Sequence, residues 1–242
     1  MKHTLFFLGV GVLSLSLISC GSEAKSEEIL EPADTSVSLF DGETLKGWHA
    51  LKEENARFWS VVDGCIEASN GAKKMPLNTY LVSDQEYENF EFSCKFRLSG
   101  DPKTGVINSG IQYRSLVEMH APKRRKKDQS DAPPVKVPTI IGYQADIGEN
   151  WWGGIFDEHR RRKLVKGDAE ALLASEGFTH DGWHDYRIVC KGNHHQLYID
   201  GFLTADYMEE NAKIPSKGVL ALQLHKGGVA KIQYKDIKLL EL

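Results

Sequence analysis

Three short segments set amides beside ionisable groups at a spacing of two. Asn108, Gln112 and Arg114 fall in step, with Ile111 and Tyr113 at the apolar positions between and before them. Gln144 and Asp146 alternate with Ile141, Tyr143, Ala145 and Ile147, and Gln223 and His225 alternate with Leu220, Leu222 and Leu224. Alternate side chains of a β-strand stand on opposite faces, so each segment predicts a strand with one apolar face and one face of amide, guanidinium, carboxylate or imidazole. These are directional hydrogen-bonding groups, suited to sugar hydroxyls or a carbonyl. If the three strands are neighbours, the seven residues floor one polar cleft.

The second segment runs into Gly148-Glu149-Asn150-Trp151-Trp152-Gly153-Gly154. A Trp in a loop can lie flat under a sugar ring while its N–H keeps a polar partner, which makes Trp151 and Trp152 candidate cleft walls. Asp157 and Glu158 are the next carboxylates along the chain after Glu149, and an acid and base pair with Asp146 is the chemistry they offer. The basic runs Lys123–Lys127 and Arg160–Lys163 read as solvated loop charge, and the charged, Pro-rich stretch Glu118–Pro138 as a long loop beside the cleft.

The elements that must position these groups follow a period of two. In Asn89–Ser99 the residues Phe90, Phe92, Cys94, Phe96 and Leu98 alternate with Glu91, Ser93, Lys95 and Arg97. Trp183–Tyr207 predicts two or three strands punctuated by Gly192-Asn193 and Asp200-Gly201, both hairpin turn signals, and Gly218–Leu242 predicts two more around Gly227-Gly228. About ten or more strands result, with one short helix over Asp168–Ser175 and no repeat of the solenoid or propeller kind. The fold class is all-β, a sandwich of two antiparallel sheets.

Composition agrees with a globular domain: of 242 residues 41% are hydrophobic and 26% charged, with a net charge of −4 that leaves no overall basic field for a nucleic acid. Lys2 and His3 precede the apolar run Leu5–Ile18, which is signal-length and shorter than the ~20 residues of a membrane span. Leu17-Ile18-Ser19-Cys20 has the form of a bacterial lipobox. Residues 1–19 are therefore expected to be a signal peptide, Cys20 the lipidated terminus and 20–37 a solvated tether. The membrane is then a partner through Cys20 only, in the bacterial cell envelope. The remaining Cys65, Cys94 and Cys190 form an odd set without CxxC spacing, so at least one is expected to be free within the chain. Cys94 and Cys190 fall at inward positions.

Seven segments in order then carry a resemblance. SLFDGETLKGW from Ser38, FWSVVDGCI from Phe58, NFEFSCKFRL, NSGIQYR, GYQADIG, WHDYRIVCKGNHHQLYIDG and GVLALQLHKGG together resemble the 3-keto-disaccharide hydrolase domain family over Ser38–Leu242. The chain departs from its commoner wording at Gln144, where many members have Glu, and at His225-Lys226-Gly227-Gly228, where they have His-Gly directly. The resemblance implies a concanavalin A-like jelly roll acting on glycosides oxidised at C3 of a glucosyl unit. Cleavage is then elimination across C1–C2 followed by hydration, or net hydrolysis.

A C3 ketone acidifies the C2 hydrogen, so this chemistry needs a base, a donor for the developing enolate oxygen, and an acid for the leaving oxygen. On that basis Asp146 or His225 is the candidate base. Arg114, with Asn108 and Gln112, is the candidate oxyanion and hydroxyl binder. Glu158 is the candidate acid, and Gln144, Gln223, Trp151 and Trp152 complete substrate binding. No spacing requires a cofactor, and a divalent metal on Asp146, His225 and Glu158 is the alternative enolate stabiliser. The same polar face also fits a non-catalytic, lectin-like carbohydrate-binding lipoprotein, or a scaffold lipoprotein whose basic loops engage a partner.

Overall fold

A computed structural model describes residues 35–121 and 135–242; Cys20, the signal segment and the basic run 123–127 lie outside the described residues. The strands in chain order are β1 (Val37–Ser38), β2 (Trp48–Ala50), β3 (Trp59–Val62), β4 (Cys65–Ser69), β5 (Thr79–Tyr87), β6 (Phe90–Asp101), β7 (Asn108–His120) and β8 (Val137–Gly148). They continue with β9 (Ile155–Glu158), β10 (Arg162–Val165), β11 (His184–Lys191), β12 (His194–Ile199), β13 (Phe202–Met208), β14 (Gly218–Leu224) and β15 (Val229–Glu241). The expected short helix is α1, a single turn over Glu170–Leu173.

One sheet runs β13-β12-β11-β6-β15-β4-β3, with β1 on β15; the other runs β10-β9-β8-β7-β14-β5-β2. Every pairing is antiparallel. The sequence expectation of a two-sheet sandwich holds, and the three amide-bearing strands are neighbours: β7 lies between β8 and β14.

The core is built by alternation. Phe90, Phe92, Cys94, Phe96 and Leu98 of β6 are buried, as are Tyr186, Ile188 and Cys190 of β11 and Ile111, Tyr113, Tyr143, Ala145 and Ile147 of the other sheet. Burying a large apolar side chain contributes roughly 1.5–3 kcal/mol, so this stripe rather than the loops holds the sheets together. The three cysteines of the described residues are free and buried, and burial pushes all three thiols up, Cys190 to about 12. They are inert packing groups.

Two bulges change the phase of the pattern. In β15 the register shifts between Lys235 and Lys238, with Asp236 at φ 52°, so Ala230, Ile232 and Tyr234 and then Ile237 and Leu239 all reach the core. In β7 the shift lies between Tyr113 and Leu116, with Arg114 at φ 45°. A bulge places two consecutive side chains against one partner, so strict alternation fails locally. Beyond it β7 and β8 stay paired as far as His120↔Val137. The stretch expected as a loop from Glu118 therefore begins and ends as strand.

Trp152 is part of this core. It is buried against Phe96, Phe178 and His184, so it is no cleft wall; the turn at Gly153 sends it inward. Beneath it His184 donates from Nδ1 to Asp200 Oδ2 at 2.6 Å and from Nε2 to the Thr179 carbonyl at 2.7 Å. Two acceptors require both ring nitrogens to carry protons. Burial works against the charged ring, but Asp200 and Thr179 outweigh it and hold His184 above its ordinary value. The stabilisation is then complete below the free-imidazole value of about 6.5 and is lost as pH rises through the raised one. Thermal unfolding followed from pH 6 to pH 9 should show this loss in the natural protein, and His184→Asn should remove that part of the slope.

Candidate functional site

On the face of the second sheet that points away from the core, the backbone register makes one row across four strands. Asp146 on β8 is opposite Gly110 on β7, Gly110 is opposite Gln223 on β14, and Gln223 is opposite Tyr80 on β5. The neighbouring row holds Gln144 opposite Gln112. Asn108, Gln112, Gln144, Asp146, Gln223 and Tyr80 are all buried, which an ordinary wet sheet face would not show.

The floor is a directed chain of hydrogen bonds. Ser115 Oγ donates to Gln112 Oε1 at 3.1 Å, Gln112 Nε2 donates to Gln144 Oε1 at 2.5 Å, and Gln144 Nε2 donates to Asp146 Oδ1 at 2.6 Å. Gly110 is needed beneath it, because a Cβ there would stand 2.7 Å from the Gln144 side chain. On the other side of Gly110, Gln223 Nε2 donates to the Tyr80 hydroxyl at 3.0 Å, while its buried Oε1 has no partner among the described residues. A buried acceptor without a donor destabilises the fold by about 1–3 kcal/mol unless something fills it, and a ligand hydroxyl would.

The row is held from behind. Tyr234 OH meets Ser109 Oγ at 2.8 Å and the Gly110 carbonyl at 3.3 Å, and Ser109 Oγ donates to the Gln223 carbonyl at 2.5 Å. Tyr186 OH reaches the Asp146 carbonyl at 3.4 Å. Hydroxyls of the opposite sheet thus fix the backbone under the polar row.

Burial pushes Asp146 up to about 7, with a smaller upward push from Glu158 and an opposing hydrogen bond from Gln144. Glu158 is raised as well, chiefly by burial. It lies opposite Gly142, two positions along from Phe156, which faces Gln144. Glu158 therefore shares the face of Asp146, whereas Asp157 points into the core. His225 follows β14 in step with Gln223; its backbone N–H bonds the Asn108 carbonyl, and its Nδ1 lies 2.6 Å from the Lys226 carbonyl. Burial lowers its pKa, which keeps the ring neutral at pH 7. Trp151 is half-buried and meets Phe156 edge-on at 6.2 Å, so it remains at the rim, with Lys163 Nζ 4.6 Å from its ring.

Arg114 does not join this site. The β7 bulge turns it inward, 1% exposed, where Nε donates to the Glu88 carbonyl, Nη1 to the Gly192 carbonyl and Nη2 to Asn89 Oδ1. It clamps two turns together, and Ser115 takes the outward place. Arg114→Lys is expected to cost about 2 kcal/mol, because an ammonium cannot reproduce the fork. Urea unfolding should show that loss while the KM for substrate stays unchanged. The run Arg160–Lys163 is also not free charge throughout. Arg160 and Arg161 both pair with buried Asp157, and Arg161 also with Glu209.

Tyr80 and Ser115 are the site residues that reading by strand motif missed. Tyr80 sits in the largely apolar run Thr79–Val82, which reads as core from sequence, and only the register with Gln223 shows its face. Among the described residues no three His, Cys, Asp or Glu side chains gather closely enough to hold a metal ion, so Asp146, Glu158 and His225 share a face without forming a donor set. Two cavities lie away from this face. One of about 300 Å³ is beside Arg114, Tyr143, His195 and Glu209, and one of about 370 Å³ is beside Trp48, Trp59 and Leu81. Neither includes Asp146.

Residues 35–240 match the 3-keto-alpha-glucoside-1,2-lyase-like domain. The chain belongs to that family. It is 22% identical over 130 residues to a 3-keto-disaccharide hydrolase of Bacteroides thetaiotaomicron, a match that covers 48% of this chain and 45% of that protein. The matched region thus spans less than half the length of that curated relative. Among solved structures, a candidate glycosyl hydrolase of Parabacteroides distasonis superposes with a TM-score of 0.52 at 17% identity, over 86% of this chain and 94% of the other. A Bacillus subtilis protein of unknown function with a galectin-like fold gives 0.51 at 8% identity, over 81% and 90%. The carbohydrate-binding module CBM66 of Bacillus subtilis gives 0.50 at 12% identity, over 79% and 93%. At such identities these likenesses concern the lectin-like jelly-roll fold, which the two sheets show directly.

Proposed function

We propose that this protein cleaves the glycosidic bond of 3-keto-glucosides by elimination across C1 and C2, followed by hydration of the resulting glucal. The observation that carries the reading is Asp146, a buried carboxyl on a polar sheet face, poised near neutrality. A general base works best when its pKa is close to the working pH, and the C2 hydrogen beside a C3 ketone is the proton that such a base can remove. Gln144 Nε2 orients the carboxylate. Gln112 Nε2 is committed to Gln144 and Arg114 to the Gly192 carbonyl, so the Asn108 amide takes over as the donor for the enolate oxygen. The orphan Gln223 Oε1 accepts from a ring hydroxyl. Glu158, raised and at the rim, stands where it can exchange protons with solvent.

The protein would act at the bacterial cell envelope, held by lipid on Cys20; the supporting feature is Leu17-Ile18-Ser19-Cys20 behind a signal-length apolar run. The test of function uses a soluble chain beginning after Cys20. It is incubated with a 3-keto-glucoside and with the unoxidised parent, with and without chelator. Aglycone release from the oxidised sugar alone is expected. Binding of both sugars without release would instead make this a carbohydrate-binding module, and loss of release with chelator would assign enolate stabilisation to a metal.

A further inference from the structure

Tyr80 is the unassigned member of the polar row. It lies on the opposite side of Gly110 from Asp146, three strand spacings or about 14 Å away along the sheet, with Gln223 between. A short carboxylate side chain and a long phenol side chain therefore flank a strip whose strand position, Gly110, carries no side chain and is covered by the Gln144 amide. The phenol is buried, and its hydroxyl is held by Gln223 Nε2 at 3.0 Å. Burial, with smaller pushes from Glu158 and Asp146, keeps its proton on at neutral pH. A neutral phenol set opposite a carboxylate base is the arrangement that a two-proton elimination needs.

Resting on the elimination reading above, we propose that Tyr80 is the catalytic acid that protonates the departing glycosidic oxygen, and the base that activates water in the hydration step. Asp146 takes the C2 proton, and the C2–H electron pair forms the C2–C3 double bond, with charge on the C3 oxygen. The C3 carbonyl then reforms, the pair moves to make C1–C2 double, and the C1–O bond breaks. The leaving oxygen keeps that bonding pair and takes the Tyr80 proton. In the second step the Tyr80 phenolate removes a proton from water as the water oxygen bonds C1, and Asp146, whose proton has exchanged with solvent between the two steps, delivers a proton to C2. Both groups end in their starting states, and one water is consumed for each bond cleaved.

The experiment compares Tyr80→Phe with the natural protein on two 3-keto-glucosides that differ only in leaving group, 4-nitrophenol and a simple alkyl alcohol. The alkyl alcohol needs a proton to depart and nitrophenolate does not. In the first turnover, before hydration contributes, Tyr80→Phe should slow alkyl release by about 10²–10³-fold and nitrophenol release by less than about tenfold. Exchange of the C2 hydrogen in heavy water should persist in the variant. The ratio of the two losses is read within one protein sample, so partial unfolding does not alter it. Equal losses on both substrates, or loss of the exchange itself, would overturn the role of Tyr80 while leaving Asp146 as base. Release by the natural protein with no C2 exchange would instead remove the elimination reading on which the proposal rests.

Discussion

Asp146→Asn is expected to lower turnover of a 3-keto-glucoside by about 10³-fold, within the range that a positioned general base contributes. The substitution keeps the acceptor for Gln144 Nε2, so the floor of the site should stay in place. Its effect on stability runs the other way. Burial raises the folded-state pKa of Asp146 to about 7 from an ordinary 3.8, so the protonated form is favoured by folding. That stabilisation is complete below about 4 and is lost as pH rises through about 7. Asn cannot ionise, so the variant should match the natural protein near pH 4 and exceed it at pH 8 in urea unfolding. For the natural protein kcat/KM should rise with pH through about 7 as Asp146 loses its proton. An inactive variant that was also less stable at both pH values would mark Asp146 as a structural group. Gain of stability on removing an active group is the behaviour expected of a site held at the expense of the fold.

The second large effect is on stability alone. Asp157 is 0% exposed and takes Arg160 Nε at 2.8 Å and Arg161 Nε at 2.6 Å, and Arg161 Nη2 continues to Glu209 Oε2 at 2.7 Å. Glu209 also accepts from Tyr143 and Tyr207, so the cluster ties β8, β9 and β13 together at one edge of the sandwich. Asp157→Asn removes the only carboxylate that Arg160 pairs with among the described residues and one of two for Arg161. Leaving a buried partner uncompensated costs about 3–5 kcal/mol. The lower end, about 3 kcal/mol, applies here, because the two arginine side chains are 18% and 29% exposed and solvent screens them. Chemical denaturation should show that loss, with turnover per folded molecule unchanged. A fall in turnover at constant stability would place Asp157 in the site after all, beside Glu158.

How far the sequence was legible follows from which rule governed each residue. Period-two alternation was enough for β6, β8 and β14, and it put Gln144 with Asp146 on the polar face of one strand and Gln223 on that of another. Adjacency of β8, β7 and β14 was beyond its reach, because strand order is a long-range property that hydropathy does not encode. Arg114 was misplaced for a local reason. A bulge needs one residue in an unusual backbone conformation, here φ 45° at an arginine rather than at a glycine, and no turn residue announces it. Trp152 was misplaced because a tandem Trp in a Gly-rich loop reads the same whether the ring turns in or out; the packing of Phe96, Phe178 and His184 decides it. Tyr80 was hidden by its own apolar run, and Asp157 and Glu158 were separable only once β9 had a register against β8.

The central claim is that Asp146 removes the C2 hydrogen of a sugar carrying a C3 ketone. The most direct measurement follows the cleavage of a 3-keto-glucoside in heavy water by NMR and reads the C2 position of the released sugar at early times. Deuterium at C2 of the released sugar is expected with the natural protein, and release and exchange both about 10³-fold slower with Asp146→Asn. Aglycone released with the original hydrogen still at C2 would contradict it and would leave direct hydrolysis of the glycosidic bond as the reaction.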